Sequence, residues 1–163
     1  MNLIWEELAA GFADGRQMVS LTIRLLVALA FGSMIGFQRE RMGKPAGLRT
    51  HMLVSSGGAV FVIACVEFGM DSDGLSRVIQ GVITGIGFLG AGAILKIYEK
   101  REVEGLTTAA GIWMTAALGV AVGLGRFGLA LVATILAWMT LSLLRKLEQV
   151  LNTESRKYGE DDF

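Results

Sequence analysis

The sequence predicts an all-helical, polytopic membrane protein with five transmembrane helices, and three observations carry that prediction. Hydrophobic residues make up 53% of the 163-residue chain and charged residues only 18%, against roughly 25% charged in typical soluble domains; mean hydropathy is +0.56. Five apolar runs, at residues 18–37, 50–69, 78–97, 107–125 and 127–144, approach the ~20 residues that cross a bilayer core. None alternates apolar and polar residues as a barrel strand does, so helices are the way to satisfy the backbone in lipid.

Residues 1–17 precede the first run and read as an extracytoplasmic segment. Ile4, Trp5, Leu8 and Phe12 fall roughly on one face, as in a short interfacial helix. Ala28-Leu29-Ala30 has the form of a signal-peptidase site, but Glu6, Glu7 and Asp14 stand where a signal needs positive charge, and Arg24 interrupts the apolar region. The run 18–37 is therefore kept as a true span. Basic residues gather at alternate connections: Arg39, Arg41, Lys44 and Arg49 after span one, Lys96 at the very end of span three with Lys100 and Arg101 after it, and Arg145, Lys146, Arg156 and Lys157 after span five. The other side has only Arg16, Arg77 and Arg126. This asymmetry predicts an external N-terminus and a cytoplasmic tail at 145–163. The single Cys65 excludes an intramolecular disulfide and a cysteine zinc site.

Span three contains Gly85-Ile86-Gly87-Phe88-Leu89-Gly90, a literal match to the G-x-G-x-x-G dinucleotide fingerprint. That motif works where a soluble strand turns into a helix with an exposed N-terminus. Here it lies inside a hydrophobic span, so a nucleotide site is not expected. The glycines read instead as packing positions. Gly81 and Gly85 have G-x-x-x-G spacing, as do Gly32 and Gly36 in span one and Gly119 and Gly123 in span four, and small residues let spanning backbones approach. Span three is accordingly expected to be central, packed on spans one and four, with span five peripheral. The denser cluster Gly87, Gly90 and Gly92 suits either a continuous helix or a kinked one.

Apart from Lys96 at the very end of span three, two charges lie within spans, where they are costly and usually paired or functional. Arg24 sits roughly 9 Å below the outer boundary and Glu67 about one turn below it, a difference an arginine can close by reaching upward; the two read as a salt bridge or as an ion or substrate contact. The outer side is acidic, and Glu67, Asp71 and Asp73 are the candidates for weak, hydrated Mg2+. Asp71-Ser72-Asp73-Gly74 begins like a calcium loop, but position twelve is Val82 and not a bidentate glutamate.

At the cytoplasmic end, "GFQRERMGKPAGLRTHMLV" runs from Gly36 into span two, with Pro45 and Gly47 expected to make the turn. Arg39, Glu40, Arg49, Thr50 and His51 come to one face, where Glu40 is expected to pair with Arg39 or Arg49. Thr107 and Thr108 begin span four and are candidates to cap it. His51 has no second histidine and reads as an interface residue more readily than as a metal ligand.

The blocks "RERMGKPAGLRTHMLV", "RVIQGVITGIGFLGAGAIL" and "GLTTAAGIWMTAALGVAVGLG" resemble the MgtC/SapB family of bacterial membrane proteins, over about residues 21–144. The motif positions are Arg39, Glu40, Pro45, Gly47, Leu48, Arg49, Thr50, Gly85, Gly87, Gly90, Gly92, Thr107 and Thr108. Gln38 stands where many relatives have a glutamate. The resemblance implies an inner-membrane protein of adaptation to low magnesium or envelope stress, and in pathogens of survival within host cells. It also implies contacts with other membrane proteins, notably inhibition of the F-type ATP synthase; direct magnesium transport is a label the family has also carried. Longer members end in a soluble cytoplasmic domain, whereas here residues 145–163 follow span five, so the membrane part is expected to carry the function.

The partners expected are the bilayer, a second copy of the chain and another membrane protein; nothing points to nucleic acid, and no cofactor is expected. No nucleophile–base pair supports an enzyme. The rival reading is a small-solute or ion transporter, for which Ser55, Ser56, Thr84 and Thr115 are the best polar groups at depth.

Overall fold

The computed structural model of the protein describes residues 15–97 and 102–159, with side chains described outside 95–102 and up to Leu143. The expected interfacial helix at Ile4–Phe12 lies outside the described residues. Among the described residues there are five helices: α1 (Gly15–Arg41), α2 (Leu48–Glu67), α3 (Ser72–Gly92), α4 (Leu106–Gly123) and α5 (Phe127–Gly159). Between α3 and α4 the strands β1 (Leu95–Ile97) and β2 (Glu102–Glu104) pair antiparallel, Lys96 opposite Val103.

Four helices, α1 to α4, are long and apolar enough to cross a membrane, and α5 has a shorter apolar stretch at Phe127–Leu143. The distribution of side chains is the reverse of a soluble protein's. Arg39, His51, Thr108, Thr115, Thr134 and Ser55 are among the largest fully buried side chains, while Val19, Leu26, Phe61, Phe88, Leu129 and Leu136 face outward. Lipid is a better solvent than water for those outer faces, so the interior is where polar groups find partners.

The helix ends depart from the apolar runs for local reasons. The run at 78–97 continues through Ala93, Ile94 and Leu95, but α3 starts six residues earlier, where the Asp71 side chain accepts from Gly74 N–H at 2.8 Å, and it stops at Gly92. Leu95–Ile97, counted as helix by apolarity, is a strand. Within these bounds α3 is unbroken through Gly81, Gly85, Gly87 and Gly90. After α1, Met42, Gly43 and Lys44 N–H bond back to the carbonyls of residues 38–40, so the reversal closes before Pro45, and Gly47 is the N-cap of α2.

α4, and not the third span, is the centre. It contacts each of the other four helices, whereas α3 leans chiefly on α4 and less on α2. Close approach occurs at the small residues of α1 and α4. A Cβ at Gly32 would lie 2.6 Å from His51 O, one at Gly36 2.7 Å from Leu48 Cα, and one at Gly123 2.8 Å from Val62 Cβ; one at Gly119 would overlap Ser55 O. Gly81, Gly85, Gly87 and Gly92 have open space in front of them, and Gly90 makes only ordinary contact with Ala109. These glycines of α3 thus stand where no described residue packs closely against them.

Arg24 does not pair with Glu67. Its Nη1 donates to Gly123 O at 2.7 Å, and Glu67 is exposed at the end of α2. The reason is the end of α4, whose last turn leaves carbonyls to be satisfied. Leu124, Gly125 and Arg126 N–H serve Val120, Val122 and Ala121 O, with Gly125 at φ 73° closing the turn; the Gly123 carbonyl is left, and the guanidinium takes it. A cation at a helix C-terminus also suits the macrodipole. Arg24→Leu should destabilise the bundle by about 1–3 kcal/mol, and Arg24→Leu with Glu67→Leu should recover none of it; unfolding in mild detergent measures both.

Candidate functional site

The helix ends at residues 41, 48, 92 and 106 lie at one end of the bundle, and a layer of buried polar side chains stands there between α1, α2 and α4. Arg39, 2% exposed, donates from Nη2 to Thr108 Oγ1 at 2.6 Å, and its Nε is buried without a partner. His51, fully buried one turn into α2, lies with Nδ1 3.2 Å from Thr115 Oγ1. The Thr115 hydroxyl donates to Gly111 O at 2.8 Å. With that hydrogen committed, Nδ1 carries the imidazole proton and donates, and Nε2 is the bare acceptor. Nε2 is buried and unpartnered, as are Ser55 Oγ and Gln38 Oε1. Buried polar atoms without a partner are few in native proteins, and each has a physical cause; four of them near one end of one bundle are unusual.

Glycines make this layer possible. Gly36 lies against the His51 Cβ, Gly32 against Ser55, and Gly111 faces the imidazole, where a Cβ would be 3.6 Å from Cε1. Gly111, Thr115, Gly119 and Gly123 form one small-residue ridge on α4 at four-residue spacing. Gln38, on the far side of α1, ties that helix to α5: its amide nitrogen donates to Trp138 O at 3.3 Å and to Ser142 Oγ.

The sequence placed Arg39, His51 and Thr108 at one face, and the structure brings them into the layer. Others take different roles. Glu40 bonds neither Arg39 nor Arg49; its carboxylate accepts from Leu48 N–H at 2.7 Å, at the start of α2. A Cβ at Gly47 would meet that carboxylate at 2.7 Å, so a side chain there would displace the Glu40 carboxylate from its place. Arg49 is exposed. Pro45 and Thr50 line a 350 Å³ cavity with Phe88, Leu89 and Ile112. Thr107 and Thr108 do not cap α4, whose N-cap is Gly105; Thr108 accepts from Arg39 instead, and Thr107 is exposed. Asp71 caps α3, and among the described residues no group of three or more His, Cys, Asp or Glu converges as a metal site would, Glu67, Asp71 and Asp73 included. Of the hydroxyls considered for a solute path, Ser56 and Thr84 donate to carbonyls of their own helices, Met52 and Gln80. Sequence reasoning passed over Gly111 and the Gln38 link. The first was signalled by the backward extension of the Gly119–Gly123 spacing; the second had no signal, because a contact between residues 38 and 142 has no local pattern.

Helices with lipid-facing exteriors and a polar interior define a multi-pass membrane protein. The chain belongs to the MgtC family, whose description matches residues 25–150. It is 44% identical over 143 residues to "Protein SrpB" of Synechococcus elongatus, covering 81% of this chain and 79% of that one. It is 42% identical over 135 residues to "Protein MgtC" of Salmonella typhimurium, covering 83% of this chain and 57% of that one. It is 40% identical over 133 residues to "Putative magnesium transporter YhiD" of Escherichia coli, covering 77% and 60% respectively. The chain thus spans somewhat over half the length of the last two. No solved structure matches.

Proposed function

We propose that this chain is a non-enzymatic protein of the bacterial inner membrane that acts in adaptation to low magnesium or envelope stress through helix contacts with itself or with another membrane protein such as the F-type ATP synthase. An external N-terminus and a cytoplasmic C-terminus belong to the same proposal. The observation that supports contact as the mode of action is the face of α3 that no described residue covers. Gly81 and Gly85 have no described residue close in front of them and line, with Gly57, Leu53 and Phe61 of α2, a predominantly apolar cleft of 760 Å³. In lipid, where apolar burial gives no drive, a surface of small residues gains most by receiving another helix.

The alternative, a small-solute or ion transporter, draws on the name of YhiD. Against Mg2+ passage through this bundle stands Arg39, a fixed cation in the polar layer, which opposes a divalent cation at close range in low dielectric. The test is a cysteine at position 85 in a Cys65→Ser background, crosslinked in membranes and scored with growth in low magnesium. The expected result is a covalent product with a second copy or another membrane protein, and loss of growth support by Gly85→Leu while that variant remains folded. A folded, fully active Gly85→Leu protein with no crosslinked product would overturn the reading.

A further inference from the structure

In α3 the positions 73, 77, 80, 84, 87 and 91 follow one another at alternating steps of four and three residues, the spacing of the seam between two coiled helices. They hold Asp73, Arg77, Gln80, Thr84, Gly87 and Ala91, and every one of them is exposed. This seam is not the side by which α3 is held in the bundle, where Ile86 and Gly90 are buried and Gly90 lies against Ala109 of α4. Nor is it the cleft shared with α2, which takes Val78, Gly81, Gly85 and Leu89.

Its polarity persists at depth. Gln80 stands eight residues into α3 and twelve before its end, ~12 Å from one and ~18 Å from the other, and Thr84 is one turn deeper. The exposed side chains that flank the seam, Ile83 and Phe88, suit acyl chains; a carboxamide with two donor hydrogens and an acceptor oxygen does not. The Thr84 hydroxyl donates to Gln80 O at 2.9 Å, which leaves its oxygen able to accept. Beyond these, Gly87 and Ala91 continue the seam with little side chain, as close approach of two backbones requires.

We propose that this seam pairs with the same seam of a second copy of the chain, α3 against α3, about a twofold axis along the bilayer normal. Three properties select a second copy. A carboxamide both donates and accepts, so two Gln80 side chains related by a twofold satisfy one another, with the Thr84 oxygens as further acceptors. Asp73 and Arg77 are one turn apart and opposite in charge, so in a parallel pair each lies within reach of its opposite on the other copy. The heptad step keeps two helices in contact along their length, and a polar residue within it fixes register and the number of strands. This face is separate from the cleft at Gly85, so a chain that docks nothing in the cleft would still pair here.

The test uses the full chain in vesicles of phosphatidylethanolamine and phosphatidylglycerol, with energy transfer between donor- and acceptor-labelled copies measured as lipid is added. Gln80→Leu, an exposed substitution, should leave the melt unchanged and weaken pairing about tenfold. In a Cys65→Ser background, single cysteines at 84, 87 and 91 should give disulfide-linked dimers on oxidation. Four results would each overturn the proposal: no energy transfer in the wild type, equal transfer in Gln80→Leu, crosslinks from the seam to another protein alone, or ready labelling of a cysteine at 84 by a membrane-impermeant thiol reagent, which would mean that the seam lines water. Loss of pairing in Gly85→Leu but not in Gln80→Leu would move the contact to the cleft, overturning the seam while leaving the reading at Gly85 intact.

Discussion

A single methyl group at Gly119 is expected to break the bundle. Its Cβ would collide with the Ser55 carbonyl oxygen, with the Ser55 C and Cα also too close, so no side-chain rotation relieves the clash and α2 has to move away from α4. Overpacking of a core commonly costs about 1–3 kcal/mol, and a rigid backbone obstacle places Gly119→Ala at or above the top of that range. Separation of α2 from α4 also pulls Thr115 from His51, exposing the polar layer. Protease sensitivity and loss of the cooperative melt in detergent would report it. Gly85→Ala, with nothing within 4 Å, should leave the melt unchanged; equal losses at the two positions would mean that α3 packs as closely as α4 does.

The second large effect is expected at Gly105. Its φ of 93° lies where side chains are rarely tolerated, and its Cβ would overlap Ala93 O, with Ile94 Cα 3.1 Å away. Gly105→Val combines left-handed strain of about 1–3 kcal/mol with a backbone collision at the point where β2 turns into α4. The hairpin and the first turn of α4 should come apart together, carrying Thr108 from Arg39. Faster hydrogen exchange in residues 102–109, against unchanged exchange in the middle of α1, is the expected signature. Uniform behaviour of the two segments would contradict it.

The class of fold was legible because hydropathy reports the solvent directly: a run of ~20 apolar residues is too long for an ordinary buried helix and matches the thickness of a bilayer core. The arrangement was less so. Glycine spacing identifies helices able to pack closely, and Gly32, Gly36, Gly119 and Gly123 do stand at contacts. The same spacing at Gly81 and Gly85 looks identical in sequence but faces outward, because composition does not say whether the matching surface belongs to the same chain. Arg24 and Glu67 were placed at neighbouring depths by counting residues, yet counting gives no rotation about the helix axis, and Arg24 faces the end of α4. At the site, residue types foretold a polar layer at one end. The partners within it depended on hydroxyl and glycine positions in α4 that become meaningful only once α1, α2 and α4 are known to share a core.

The central place of α4 sets a timetable for synthesis. α1 and α2, which pack on one another, are both complete once residue 67 has emerged, but the main contact surface of α3 is made only with residues 106–123. At about 5–20 residues per second, seconds pass in which α3 is in the membrane without its chief neighbour, and in which Arg39 and His51 lack Thr108 and Thr115. A nascent chain halted between α3 and α4 would therefore hold its most polar side chains uncovered, and is the form that the membrane's own quality-control machinery would be best placed to recognise.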